Sequence, residues 1–501
     1  MGRSIDRRHE LKLFATLGAP NALMAASRIA QLLTDQAVLG HLSSEYLDAS
    51  SLALLWMNLT MQMCVRGLKG AVNTLVSQAI GAGNDELAGL WLRVAYMLAP
   101  VFSAFVVGMW LLAGPVLTLV VASGAAGGEA GSGGDDGRAA ACDLAARYTR
   151  LSIGWVLPTM VLEATSSYLL ARRVAMPQLL VYSCFFLVNL GLNVLFVHGG
   201  GGWAGLGFDG SPIATTATRV GQLLSLLAVL RLRGVALPWR GCSIRATQLR
   251  TFVGQALPQT MGAALEELTL QAAGALAGRL GEVAMATHQC MLMAFFWLTS
   301  PMYGLIGAVQ IRIGHYLGAA QPRAARAVGV LCLQCALTIS VIVAALLVAL
   351  RDQVGWIFSG DPKVVAMTSS IAPLVGGAYT LIGLFYASMA CLNGQGRPLA
   401  VAVSFLCGAF LITPVSGYLL AFVARCCGDT QLFGLWFGLI CGYMVTTLIS
   451  MVAVARSDWG ALAKTAISRA ERAPPSGVDE SAPPGEEALL DAQQAADARV
   501  N

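Results

Sequence analysis

Two adjacent carboxylates, Glu266 and Glu267, lie within a long apolar stretch in the second half of the chain. Placing an ionised carboxylate in a membrane helix costs about 2.5 to 3.5 kcal/mol, so it should face water, a partner group or the interior of a helix bundle. Adjacent residues on a helix point about 100° apart, so the two side chains cannot share one environment. Glu266 continues a polar line through Gln255 and Gln259. Glu267 instead shares its face with Gln271 at the i+4 position.

Glu266 has the residue type and the position for ligand-exchange chemistry. Removing a carboxylic acid from water favours its protonated form, whereas a nearby cation favours its ionised form. One carboxylate can therefore hold a proton or a sodium ion in one state and an organic cation in another, and this is the hypothesis for Glu266. The structural alternative for both glutamates is an ion pair with an arginine near the end of a helix.

Polar residues also interrupt the apolar stretches of the first half. Asp35 follows Arg28 by seven residues, about two helical turns, so the two lie on one face. An arginine inside a span needs a counter-ion, and Asp35 is the first candidate. The alternative for Asp35 is an interface aspartate that pairs with another arginine or caps the loop at Gly40. Asn189 and Asn193 share one face of a later stretch, where they could equally form hydrogen bonds between helices.

The composition indicates that these side chains belong to a membrane protein, whose helices would hold them in place. Of 501 residues, 56% are hydrophobic and 12% are charged, and the mean hydropathy is +0.67. A soluble surface needs far more charge, whereas about 20 apolar residues suffice to cross a membrane as a helix. The sequence therefore predicts an all-α polytopic protein with about twelve transmembrane helices. The windows lie near residues 13–34, 47–68, 88–121, 148–171, 178–198, 211–231, 251–277, 283–309, 327–350, 364–392, 398–424 and 431–455.

One segment occurs twice and predicts the symmetry of the fold. The sequences from Gly70 to Ala88 and from Gly307 to Ala325 align without a gap, 237 positions apart, with six identities. Two units of six spans share one orientation, so a pseudo-two-fold axis along the membrane normal should relate them, with a binding site in the cleft between them. The predicted divisions are an N-terminal tail (1–12), an N-lobe (13–231), a basic linker (232–250), a C-lobe (251–456) and a disordered tail (457–501).

The distribution of charge predicts the orientation of the chain. Lysine and arginine concentrate in the loops that lie on the same side as the amino terminus, which places both termini and the basic linker in the cytoplasm. The glycine-rich segment 124–143 is predicted to be a disordered external loop. The chain is thus expected to be an integral membrane protein, of the plasma membrane or of an organellar or vacuolar membrane.

The sequence lacks the signals of several other functional classes. No basic cluster interleaved with aromatic residues suggests nucleic acid as a partner, and no P-loop pattern suggests ATP. The 12 cysteines show no metal spacing, and no cofactor or bound metal is expected. No His-Asp or Cys-His pair is confined to one membrane face, so the chain is not expected to be an enzyme, and a channel filter is also missing.

The two copies of the repeat resemble the multidrug and toxic compound extrusion (MATE) family over residues 11–455. The first copy reads TLVSQAIGAG at Thr74 to Gly83, and the second reads RIGHYLGAAQP at Arg312 to Pro322. Further similar segments are DQAVLGHL from Asp35 and ALPQTMGAALEE ending at Glu267. Each motif alone is weak, but their order and spacing over the whole chain are specific.

This resemblance implies a monomeric twelve-span secondary antiporter that exports organic compounds, often cationic, in exchange for protons or sodium. It implies that Glu266 matches the glutamate of the family's seventh span and that Asp35 resembles the first-half aspartate used in proton coupling. Gln271 stands where the family often has a second glutamate, and Asn193 where it often has aspartate. A lipid-linked precursor flippase or an anionic-metabolite exporter of the same superfamily is the alternative.

Overall fold

A computed structural model describes residues 6–122, 135–200, 202–235, 237–238, 244–424 and 431–471. These residues form long α-helices and, apart from one isolated bridge between Gly200 and Trp203, no β-structure. The helices are α1 Arg7–Gly40, α2 Ser44–Met57, α3 Met63–Gly81, α4 Asp85–Leu111, α5 Ala113–Ala122, α6 Asp135–Leu151, α7 Val156–Ala171, α8 Met176–His198, α9 Gly210–Leu232, α10 Ala246–Gly278, α11 Glu282–Gly318, α12 Pro322–Ala349, α13 Arg351–Phe358, α14 Pro362–Gly394, α15 Pro398–Ser404, α16 Leu411–Tyr418, α17 Gln431–Ala455 and α18 Trp459–Glu471.

Short π-helical or 3-10 segments continue some of these helices. They are Asn58–Gln62 between α2 and α3, Ser152–Trp155 between α6 and α7, Phe405–Phe410 between α15 and α16, and Leu419–Val423 after α16. Each keeps the chain helical while shifting the backbone hydrogen bonds by one residue, so the flanking helices run on from one another.

Eight of the described helical segments are long and apolar enough to cross a membrane, which confirms the predicted all-α membrane fold. They are Asp85–Leu111, Met176–His198, Gly207–Leu232, Glu282–Gly318, Pro322–Ala349, Pro362–Gly394, Pro398–Val423 and Gln431–Ala455. The other four predicted windows fall on α1, α2 with α3, α6 with α7, and α10. These are the helices that carry the buried or partly buried charges Arg28, Asp35, Lys69, Glu163 and Glu266, and such charges lower the hydropathy of a span.

The two copies of the repeated segment meet each other at the ends of α3 and α11. A Cβ atom added to Gly81 at the end of α3 would lie 2.0 Å from the carbonyl oxygen of His315, and one added to Gly318 at the end of α11 would lie 2.1 Å from that of Gln78. Both distances fall far inside van der Waals contact, so only glycine allows this approach. Because Gln78 and His315 are themselves equivalent in the repeat, each copy packs on the other in the same way.

We expect Gly318→Val to destabilise the protein, because its side chain would meet backbone atoms of α3 that cannot rotate away. Overpacking of this kind costs about 1 to 3 kcal/mol. Thermal unfolding followed by intrinsic fluorescence should give a lower midpoint for this variant. Gly191→Ala, in the interior of α8 with no atom near the added methyl group, is the matched control and should not lower it. Equal midpoints for Gly318→Val and wild type would contradict the close packing.

Two predicted flexible segments are partly helical. Residues 135–143 of the predicted external loop belong to α6, and Trp459–Glu471 of the predicted disordered tail forms α18. In α18, Ala463 and Ala466 are buried in the hydrophobic core of the second half. Tertiary packing therefore stabilises this helix, although the composition of the segment predicted disorder. The basic linker is also shorter than predicted, because α9 ends at Leu232 and α10 begins at Ala246. Residues 123–134 and 472–501 of these segments lie outside the described residues.

Candidate functional site

Glu266 lies at the contact between the two halves of the chain. Its side chain, on α10, is only 6% exposed, and Arg66 of α3 forms an ion pair with it. The hydroxyl group of Tyr386, on α14, donates a second hydrogen bond to Glu266 Oε1 at 2.8 Å. The two charges are 200 residues apart in sequence, so this ion pair joins the first half to the second. Glu266 therefore has a counter-ion that a ligand cation would have to replace.

A cavity of about 520 Å³, including its opening, lies beside Glu266. Its walls are mainly aromatic and aliphatic side chains of α11, α14 and α17, with Glu266 as the acidic group. Trp436 Nε1 is buried there without a hydrogen-bond partner among the described residues. Cavities that combine apolar walls with a few polar groups are typical binding sites for small organic molecules, and aromatic faces attract cations. The aromatic lining residues are Phe295, Phe296, Tyr386, Trp436 and Tyr443.

Glu267 has a different environment from Glu266, as the 100° separation predicts. It is half-buried, and Gln271 Nε2 donates a hydrogen bond to Glu267 Oε1 at 2.9 Å across one helical turn. Neither residue is among those that line the aromatic cavity. The Glu267–Gln271 contact thus lies within one helix, whereas Glu266 connects three.

The structure brings Asp35, Asn189 and Asn193 together in the first half. Asn193 Nδ2 donates to Asp35 Oδ1 at 2.8 Å, and the hydroxyl group of Thr215 donates to Asp35 Oδ2 at 2.7 Å. Asn189 Nδ2 donates to the Thr218 hydroxyl oxygen at 3.3 Å. The side-chain oxygens of both asparagines are buried and accept no hydrogen bond from a described residue. A buried carboxylate with two free amide oxygens nearby is an oxygen-rich environment that can hold a proton or a hard cation.

The expected pairing of Arg28 with Asp35 is wrong. Arg28 forms an ion pair with Glu163 of α7 at 2.5 Å, because its side chain points into the space between α1 and α7 rather than along its own helix. Lys69 Nζ lies 3.3 Å from the other oxygen of Glu163, and the Tyr182 hydroxyl group donates to Glu163 at 2.8 Å. Asp35 is therefore held by hydrogen bonds and has no salt bridge with a described cation.

The sequence analysis did not single out Arg66 and Lys69, although a signal was present. Both lie on α3 at the i and i+3 positions, so they share one face of a helix that crosses the predicted membrane region. Each pairs with a glutamate, Arg66 with Glu266 and Lys69 with Glu163. One face of α3 thus supplies a cation to both Glu266 and Glu163.

Comparison with known proteins identifies the family. A family model described as MatE matches residues 20–195 and 258–419, which together exceed half of the chain. The chain belongs to the MatE family. Its members are transporters, so this MatE protein is a membrane transporter and not an enzyme.

Curated relatives and solved structures agree with this assignment. Multidrug and toxin extrusion protein 1 of Xenopus tropicalis is 26% identical over 86% of this chain and 71% of its own length. Protein DETOXIFICATION 52 of Arabidopsis thaliana is 25% identical over 91% of this chain and 86% of its own. The crystal structure of the eukaryotic MATE transporter AtDTX14 superposes with a TM-score of 0.82 at 21% identity, covering 93% of this chain and 99% of that one.

A buried ion pair joins α1 to α11 in this MatE transporter. Glu10, in the first turn of α1, accepts two hydrogen bonds from Arg312 of α11, at 2.6 and 3.1 Å, and one from the Tyr316 hydroxyl group. Burial opposes the ionisation of Glu10, but these hydrogen bonds and the charge of Arg312 outweigh burial and lower the pKa of Glu10. The contact ties the first half of the chain to the second at the end where the two copies of the repeat meet.

Proposed function

We propose that this MatE protein is a secondary active antiporter that exports organic cations in exchange for protons or sodium. The observation that carries the proposal is Glu266, a buried carboxylate paired with Arg66 beside a cavity with aromatic walls. Such a wall offers dispersion and cation–π attraction to a large apolar cation, and the carboxylate offers the compensating charge.

The ion pair suggests how exchange takes place at Glu266. An organic cation that enters the cavity replaces the guanidinium group of Arg66, since one carboxylate at that depth cannot balance two cations. Protonation of Glu266 removes its charge and releases the cation. A carboxylate whose partner can be exchanged in this way alternates between two ligands.

Asp35 supplies a second ion site in the proposed cycle. Its carboxylate, hydrogen-bonded to Asn193 and Thr215, lies in the first half, whereas Glu266 lies in the second. Occupation of Asp35 by a proton or by sodium would change the hydrogen bonds that join α1 to α8 and α9. Ion binding would thereby change the packing of α1, and α1 also contacts α11 of the second half through Gly18 and Gly304.

The contacts at one end of the molecule support alternating access. Glu10–Arg312 and the glycine contacts around Gly81 and Gly318 close the end that we predict to be cytoplasmic. Opening that end requires the ion pair to break and the two halves to rotate apart. Rocking of two pseudo-symmetric halves about a central site is a common route for secondary transporters. We place the protein, as a monomer with cytoplasmic termini, in the plasma membrane or an organellar membrane.

Reconstituted transport tests the proposal. Proteoliposomes that contain the full chain receive a fluorescent organic cation outside and an imposed gradient of protons or, separately, of sodium. We expect accumulation against the dye gradient under one of the two, which would also identify the coupling ion. Empty liposomes and gradient collapse by an ionophore are the controls. Accumulation of an anionic dye alone would contradict cation export and favour an anionic-metabolite exporter.

A further inference from the structure

The helix that follows the last span, α18, packs against both halves of the chain. It contacts α11 and α12 of the second half and α3 of the first. Ala463 and Ala466 are buried in the hydrophobic core of the second half, whereas Ala470, near the end of the helix, is buried in that of the first. One short helix therefore joins the two halves that the proposed alternating access would separate.

The beginning of α18 is anchored on the second half. Asp458 Oδ1 accepts two backbone hydrogen bonds from the first turn and so caps the helix. The hydroxyl group of Ser457 accepts a hydrogen bond at 2.9 Å from Arg397, which lies between α14 and α15. Trp459 packs against the core of the second half. Because α17 leads directly into this anchored end, the beginning of α18 should move with the second half.

The other end of α18 is held to the first half by two hydrogen bonds. Arg469 Nη1 donates to the side-chain oxygen of Gln78, near the end of α3, at 3.2 Å. Asn84 Nδ2, just before α4, donates to the backbone oxygen of Ala470 at 3.3 Å. The backbone oxygen of Gln78 also lies against Gly318, so both bonds are close to the contact between the two repeat copies.

Arg469 contacts the second half as well as the first. A Cβ atom added to Gly396, between α14 and α15, would lie 2.7 Å from Arg469 Nη1. The guanidinium group thus lies on the backbone of the second half while it donates to Gln78 of the first. Separation of the halves must break the bonds at Gln78 and Asn84, whereas the apolar contacts at the beginning of α18 can remain.

We infer that α18 is a latch that stabilises the contact between the two halves at this end of the protein. Opening requires its last turn to leave Gln78 and Asn84, so both hydrogen bonds favour the arrangement in which the halves meet. A hydrogen bond from a charged group is stronger than a neutral one, which makes Arg469 the main positioning residue of the latch. The inference rests on the alternating access proposed above, and in that cycle α18 sets how often this end opens.

Hydrogen–deuterium exchange of the purified full-length protein tests the latch without substrate or ion gradient. Exchange is followed in α18 and, as the measure of opening, in the ends of α3 and α11 that pack on each other. Amide exchange reports the population of locally opened forms. Arg469→Met removes the charged donor and keeps an unbranched side chain, so we expect exchange in both places to rise at least about tenfold.

A second variant loosens the latch from the first half and leaves α18 unchanged. In Asn84→Ser the hydroxyl group can still accept the hydrogen bond from Leu87 that caps α4, but its side chain is shorter and loses the donor to Ala470. We expect a smaller rise, about two- to tenfold, in the same two places, because this bond is neutral. Lys464→Met removes an exposed charge from the same helix and is the matched control, with no expected change.

Faster exchange confined to α18 would overturn the inference, because the helix would then fray without any effect on the contact between the halves. Unchanged exchange in Arg469→Met, or an equal rise in Lys464→Met, would overturn it as well. Failure of the wild type to transport any dye in proteoliposomes would contradict the proposed function instead, since the exchange measurement needs neither dye nor gradient.

Discussion

Glu266→Gln should abolish gradient-driven accumulation of organic cations in proteoliposomes. The glutamine keeps the size of the side chain and an oxygen for Tyr386, but it removes the charge that a cation needs in the aromatic cavity. A charge-assisted hydrogen bond contributes about 1.5 to 3 kcal/mol, which corresponds to a loss of affinity between about tenfold and 150-fold. Glu267→Gln changes the adjacent carboxylate, which accepts a hydrogen bond from Gln271 and forms no ion pair with a described residue, and it should reduce transport much less.

A double variant separates transport from folding at this ion pair. Glu266→Gln leaves Arg66 without its partner, so loss of transport alone could reflect loss of stability, since breaking a buried ion pair costs about 3 to 5 kcal/mol. In Arg66→Gln with Glu266→Gln both charges are gone, and the thermal midpoint should return toward that of the wild type. Transport should remain absent in the double variant. Recovery of transport together with stability would mean that Glu266 is only a structural partner of Arg66.

The helical period predicted which residues share a face, and for Asn189 and Asn193 this was sufficient. Asn189 and Asn193 lie four residues apart, and the structure places them on the face of α8 that meets Asp35. The separation of Glu266 from Glu267 follows from the same period. These features depend on one helix at a time, so local geometry determines them.

The ion-pair partners could not be predicted in this way. Arg28 shares a helix face with Asp35, yet it pairs with Glu163, 135 residues further along the chain. The period of a helix says which side chains point together and leaves open which neighbouring helix they meet. Arg28 lies on α1 and Glu163 on α7, so their pairing depends on how these helices pack in the whole bundle.

Asp35→Asn should weaken the coupling of transport to the ion gradient while leaving the fold intact. An asparagine oxygen can still accept a hydrogen bond from Asn193 or Thr215, so the thermal midpoint should stay close to that of the wild type. The amide cannot bind a proton or balance sodium in the physiological range. Exchange of labelled for unlabelled substrate without a gradient should persist, because the cavity at Glu266 is unchanged.

The size of this uncoupling follows from the energy stored in the gradient. One pH unit across the membrane is worth about 1.4 kcal/mol per proton, equivalent to about a tenfold concentration ratio of a solute exchanged one for one. The wild-type protein, which exchanges ions at both Asp35 and Glu266, should reach a higher ratio than Asp35→Asn, which exchanges them at Glu266 alone. Asp352→Asn, at an exposed aspartate of α13 that pairs with Arg351, is the matched control and should accumulate substrate as the wild type does. If Asp35→Asn accumulates substrate to the same ratio as the wild type, Asp35 serves only to hold α1 against α8 and α9, and the coupling must depend on Glu266 alone.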